Sequence, residues 1–215
     1  MKRNLVRSKS QRLSQFLYSL SLVFLGIGLF SLGWAVWPVP MDGIRFNIPA
    51  GALPGAPDED RYESLSDYAL EISWPRWVRR DEAGPLHLRL TDQDPSSPAE
   101  MDTSQVLLAE PALFPLNVDP PGEVQANLGD DQTLLLSWAV SGDQRGAYEG
   151  KLYVSFGFFD DTEDALIAVP VAVVDLDIQV IELWGVQSGL VIWFGFVSLV
   201  LWGALFVLGR VAACK

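Results

Sequence analysis

One cysteine, Cys214, and one histidine, His87, occur in 215 residues. A single thiol excludes an internal disulfide framework and any multi-cysteine zinc or iron–sulfur centre. A single imidazole excludes a His-rich metal site. Basic residues are scarce in the middle of the chain. All 27 acidic residues fall between Asp42 and Glu182, against eight basic ones: Arg45, Arg61, Arg76, Arg79, Arg80, Arg89, Arg145 and Lys151. The middle therefore carries −19, while the two ends carry seven basic and no acidic residues. Phosphate contacts need clustered Lys and Arg, so this region does not read as nucleic-acid binding. G-x-S-x-G, H-E-x-x-H and Walker A sequences are missing. Lys151 is the only lysine away from the ends, which leaves Ser–Lys catalysis a single base to use.

Two long uncharged runs stand out. Phe16 to Trp37 is 22 residues, and Trp184 to Leu208 has Gln187 as its only strongly polar side chain. A 22-residue helix covers ~33 Å, enough for a hydrocarbon core of ~30 Å. The first run follows a basic stretch, Lys2, Arg3, Arg7, Lys9 and Arg12, as a signal peptide would. It is far longer than a signal's apolar region, and no A-x-A-type site follows it, so it reads as an uncleaved anchor. Basic flanks mark the cytoplasmic side. Both termini are therefore expected in the cytoplasm and the acidic middle outside it. Trp34, Trp37 and Trp184 then fall at the outer interface, where indole rings are favoured. Ser19, Gly26 and Gly33 share one helix face, and Gly185 and Gly189 form a G-x-x-x-G. Helix–helix packing is expected through Gly26, Gly33, Gly185 and Gly189. Ser188, Gly195 and Gly209 lie on a neighbouring stripe.

Between the runs the pattern changes twice. Residues 38–60 hold Pro38, Pro40, Pro49, Pro54 and Pro57 with three glycines, which reads as an extended linker with room for a short edge strand from Gly43 to Ile48. Beyond it the hydrophobic period is two. Tyr68, Leu70, Ile72 and Trp74 alternate with polar or small residues, as do Leu86 to Thr91, Leu134 to Val140, Lys151 to Phe158 and Leu176 to Val180. Shorter segments are Gln105 to Ala109, Val124 to Leu128 and Ile167 to Val171. Alternation marks strands with one buried and one wet face. Seven or eight strands separated by Gly, Pro and Asp clusters predict an antiparallel β-sandwich over residues 61–183, of immunoglobulin-like or fibronectin-like size, without the Cys…Trp…Cys spacing. Trp74 and Trp138 are the expected large core aromatics. The predicted order is thus a basic tail (1–15), a spanning helix (16–37), a linker (38–60), the sandwich (61–183), a second spanning helix (184–208) and a short tail (209–215). No signature of a named family emerges.

Residues that carry chemistry are few. His87 falls on the wet face of its strand with no motif to supply a partner, and reads as a surface histidine. Asp160, Asp161, Glu163 and Asp164 form the tightest acidic cluster. Tested as a calcium loop from Asp160, the sixth position is Ala165 and the twelfth Val171, and the register from Asp92 ends on Thr103. The cluster reads as a solvated turn, and no metal or cofactor is expected. Trp74 to Arg80 is the one basic–aromatic stretch of the acidic region, making Trp77, Arg79 and Arg80 the candidate interaction surface. A structural alternative packs Trp77 over the sandwich end and pairs the arginines with Asp81 and Glu82. Cys214 reads as an ordinary cytoplasmic thiol. These features predict a non-enzymatic, two-pass membrane protein whose outer sandwich serves as an interaction or accessory module for other membrane or envelope proteins. An extracytoplasmic sensor signalling through a partner is the alternative. Tails of ~15 and ~7 residues are too short for a signalling domain of their own.

Overall fold

The computed structural model describes residues 2–49, 51–52, 63–64, 67–93, 105–127, 133–160, 165–183, 185–186 and 188–213. The chain divides into two compact units, Met1–Pro38 with Glu182–Lys215, and Val39–Ile181.

The first unit is a helical hairpin of α1 (Lys2–Ala35) and α2 (Ser188–Ala213). The stretches Ser14–Ala35 and Ser188–Ala213 are long and apolar enough to cross a bilayer. α1 starts well before the expected residue 16. No proline interrupts residues 2–37, and each residue added to an existing helix gains a hydrogen bond. The helix stops where Pro38 disfavours the helical conformation of the residue before it. α2 begins four residues later than expected, after a turn in which Val186 donates to the Leu183 carbonyl (3.1 Å) and Gly185 sits at φ 71°. That left-handed conformation suits glycine.

The helices run antiparallel, because Tyr18 meets Phe206 and Gly209 while Leu32 meets Gly195. Their contact uses Ser14, Ser21, Gly28 and Ser31 against Val191, Gly195, Ser198 and Gly209. This differs from the expected glycines. Cβ positions at Gly26, Gly33 and Gly189 meet nothing within 4 Å, and Gly185 lies in the turn before α2. The physical reason is phase. Residues 26 and 28 are ~200° apart on a helix, so only one of the two stripes faces the partner. On α2 it is the stripe of Ser188, Gly195 and Gly209 that is buried.

The second unit is a β-sandwich. Its strands are β1 (Met41–Ile48), β2 (Gly51–Ala52), β3 (Glu63–Ser64), β4 (Tyr68–Pro75), β5 (Trp77–Arg79), β6 (Gly84–Asp92), β7 (Gln105–Ala112), β8 (Asn117–Asp119), β9 (Val124–Asn127), β10 (Thr133–Ser141), β11 (Gly146–Asp160) and β12 (Ala165–Ile181). One sheet has the order β1-β4-β6-β10-β8 and the other β5-β12-β11-β7-β9; β2 and β3 pair separately. All pairings are antiparallel except that of β5 with β12. Both sheets feed one core, with Leu70, Ile72, Leu86, Leu88 and Trp138 from the first and Leu107, Leu152, Phe156 and Ile178 from the second. The Tyr68 and Phe156 rings, from opposite sheets, lie 5.9 Å apart. Trp138 is buried as its alternation predicts, and Trp74 packs against the core from its margin.

Three differences from the sequence reading have physical causes. Residues 41–48, placed in the linker, form a full edge strand paired with β4 from Met41↔Pro75 to Ile48↔Tyr68. Prolines 38, 40 and 49 flank this strand without entering it, which is where an edge strand tolerates them. The segments 167–171 and 176–180 are one 17-residue strand. Pairing steps from Val154↔Ala172 to Ser155↔Pro170, leaving Val171 as a bulge. A bulge shifts the inward phase by one residue, so Val169 and then Val174, Leu176, Ile178 and Val180 all face the core. Finally, the chain changes sheets at one residue. Arg76 donates its N–H to the Pro40 carbonyl (2.9 Å) and accepts at its own carbonyl from Gln179 (3.1 Å). The short β5 that follows pairs with β12, ~100 residues later, so no local pattern announces it.

Candidate functional site

Trp77, Arg79 and Arg80 sit at this sheet-changing corner. Arg79 is only 6% exposed. Its Nη1 lies 3.1 Å from Glu82 Oε2, and its guanidinium stands 5.2 Å from the centre of the Trp77 ring. The half-buried Arg80 brings Nε to 3.8 Å from Asp81 Oδ2. The backbone tightens the corner further. Glu82 donates to the Arg79 carbonyl (2.9 Å), Arg80 to Ile181 (2.8 Å), and Asp81, at φ 63°, to Gly142 (3.2 Å). Asp tolerates the left-handed region better than most residues. Arg79 thus acts as an internal clasp, and Trp77 and Arg80 are the members of the trio with surface to offer. The pairing with Glu82 and Asp81 is the arrangement named in the structural alternative above.

A second polar surface lies on the outer face of the first sheet. Register places Arg45, Glu71, Arg89 and Leu135 in one cross-strand row, and Gly43, Ser73, His87 and Ser137 in the next. Directly opposed residues have Cβ atoms ~5 Å apart, so Glu71 lies between two guanidinium-bearing chains. Small residues flank His87 and leave hollows on both sides of it. One, of about 290 Å³, is lined by Glu71, Ser73, His87, Arg89 and Leu135. The other, of about 370 Å³, is lined by His87, Pro85, Asp119, Ser137 and neighbouring small residues. Imidazole Nδ1 is buried and has no hydrogen-bond partner among the described residues. Leu135 is 55% exposed in the middle of this charged surface. The face presents two guanidinium groups, a carboxylate, an imidazole and one apolar side chain.

The alternation of Leu86, His87 and Leu88 already placed His87 outward. Its neighbours were missed because Arg45 belongs to β1, whose register depends on backbone pairing rather than on any periodicity in a proline-rich stretch. The acidic cluster beginning at Asp160 lies outside the described residues from position 161, as do Cys214 and Trp184. Among the described residues, no group of three or more His, Cys, Asp or Glu side chains is placed to hold a metal ion. Burial, and secondarily the Asp92 carboxylate, raise the pKa of the Tyr68 phenol.

No family model matches the sequence, and no curated protein matches it. Among solved structures the chain is similar to the ASH / PapD-like domain of human CEP192 (PapD-like domain 7), at 14% identity and TM-score 0.31 over 50% of this chain and 82% of that one. The CARDB domain of the PF1109 protein from Pyrococcus furiosus is similar at 13% identity and TM-score 0.32, over 51% and 84%. WR4, an MSP family member of C. elegans, is similar at 10% identity and TM-score 0.28, over 51% and 97%. At such scores these similarities transfer neither a residue nor a ligand to this chain.

Proposed function

We propose that this is a two-pass membrane protein whose β-sandwich is a non-enzymatic interaction module held outside the cytoplasm. The observation that carries this reading is a compact all-β unit bracketed by two helices, each long and apolar enough to cross a bilayer. In hydrocarbon every backbone polar group must be satisfied within its own segment, which the two helices achieve. The basic residues before the first span and Arg210 near the end of the second support cytoplasmic termini. In this reading the sandwich is immunoglobulin-like. The strand order β4-β6-β10-β8 against β5-β12-β11-β7, with the first strand split between sheets, has the Greek-key arrangement of that class. β1 is an added edge strand. Interaction is favoured as the role because the outer face of the first sheet displays Glu71, Arg89 and Leu135 around a shallow hollow. Arginine is enriched in interfaces of this kind.

Topology is tested with periplasm-only reporter fusions. Fusion near Gly142 gives activity and fusion at the C-terminus gives none; activity at the C-terminus overturns the orientation. Function is tested by purification in mild detergent. Stoichiometric membrane or envelope partners are expected, and Arg89→Glu with Leu135→Asp releases them without lowering expression. A chain that purifies alone from its native membrane contradicts the module reading.

A further inference from the structure

Among the described residues of the sandwich, one large apolar side chain has almost no protein around it. Phe114 is 91% exposed. Single exposed apolar residues are ordinary, so exposure alone means little. Three observations give this one a meaning. First, the loop that presents it is held firmly. Leu113 and Leu116 on either side are buried, and Leu116 donates to the Leu113 carbonyl (2.7 Å). Leu113 lies over Gly150, and Leu116 lies against Gly142 beside Val180. Phe114 is thus displayed by a packed turn.

Second, this turn is at the end of the sandwich where the chain enters and leaves. β1 starts at Met41 opposite Pro75, β12 ends at Ile181 opposite Arg79, and the strand after the turn begins at Asn117 opposite Ser141. Only four steps separate Trp37 from Met41, a tether of at most ~14 Å at ~3.5 Å per residue. Third, the charge at this end is small: Arg76, Arg79, Arg80 and Arg145 stand against Asp42, Asp81, Glu82, Asp143 and Glu182, an excess of one acid, and three pairs lie close, Arg76 with Asp42 (3.9 Å), Arg79 with Glu82 and Arg80 with Asp81. In a domain so acidic elsewhere, this end meets a membrane surface with comparatively little electrostatic penalty.

From these we infer that Phe114 inserts into the headgroup layer of the outer leaflet and gives the sandwich a second, non-covalent hold on the membrane. Aromatic side chains favour that depth. The attachment is apolar, so it does not depend on lipid charge. It also restricts the swing of the domain about its tethers, fixing which sheet face is offered to a partner. The inference rests on the two-span reading above.

The test uses the full chain with Cys214→Ser, reconstituted in phosphatidylcholine vesicles and labelled with one environment-sensitive fluorophore at a time. Labels follow Phe114→Cys, Leu135→Cys on the sheet face, or Val200→Cys on α2. The label at 114 is expected to be quenched by acyl-brominated lipid and shielded from aqueous iodide, with the reverse at 135. Adding phosphatidylglycerol leaves the quenching at 114 unchanged. If 114 is quenched by iodide as strongly as 135 while 200 remains lipid-quenched, the insertion is wrong and the spans stand. Shielding of 114 from both quenchers means a protein contact and also overturns the proposal. Iodide quenching at 200 removes the two-span reading, and the insertion with it. A dependence on phosphatidylglycerol overturns the apolar mechanism.

Discussion

Gly28 of α1 and Gly195 of α2 meet backbone to backbone: a Cβ on residue 28 would lie 3.2 Å from the Gly195 carbonyl oxygen and 2.9 Å from Leu199. A Cβ on residue 195 would likewise lie 2.9 Å from Leu32. Close approach of this kind is what small residues contribute to helix pairs in lipid. Gly28→Leu and Gly195→Leu are therefore expected to lower the hairpin's thermal midpoint in detergent by several degrees, since overpacking costs ~1–3 kcal/mol. Gly26→Leu and Gly33→Leu are expected to leave it unchanged, because a Cβ at either position meets nothing within 4 Å. Equal effects at 26 and 28 would show that the helices pack through the other stripe.

Trp138 is 2% exposed, and its indole N–H is buried with no hydrogen-bond partner among the described residues. Trp138→Ala should destabilise the sandwich by ~3–5 kcal/mol through the cavity it leaves. Trp138→Phe should cost clearly less, because it also removes a buried donor that gains nothing. Urea midpoints of the two variants decide this. Equal loss in both would mean the indole N–H is satisfied.

The compact unit runs from Val39 to Ile181. A fragment with these bounds should be soluble, β-rich by circular dichroism and cooperative in unfolding. A fragment starting at Arg61 lacks β1. It loses the packing of Phe46 and Ile48 and bares the edge of β4. Unpaired edges invite association. The shorter fragment is expected to melt lower and to aggregate. Indistinguishable behaviour would make β1 dispensable.

Tyr68 is buried against Phe156 and opposite Asp92 in register. Burial first, then the Asp92 carboxylate, raises its phenol pKa above the ordinary 10.0. A pKa raised by folding means that the folded state disfavours the phenolate. The stability is therefore fully present below pH ~10 and is lost as pH rises through the folded-state value. Tyr68→Phe removes this alkaline loss. Urea midpoints of the 39–181 fragment should fall above pH ~10 more steeply for the wild type than for Tyr68→Phe. Parallel curves would show that the phenol ionises freely in the folded state.

The sequence by itself determined the elements that carry a strong pattern of their own. Two uncharged runs are sufficient for helices of membrane length, and Tyr68 to Trp74, Leu86 to Thr91 and Leu134 to Val140 alternate because each strand buries one face. His87 could be placed outward for the same reason, and Asp81 and Glu82 were close enough in sequence to be named as partners of Arg80 and Arg79. Tertiary structure decided whatever depends on a neighbour distant in the chain. β1 and β5 are held by strand pairing, which leaves little periodic trace in a proline-rich stretch or in three residues. The bulge at Val171 breaks the period of two, so one strand reads as two until its partner β11 is seen. Helix phase is the sharpest case: the stripes through Gly26 and Gly28 are both rich in small residues, and only the position of α2 selects between them.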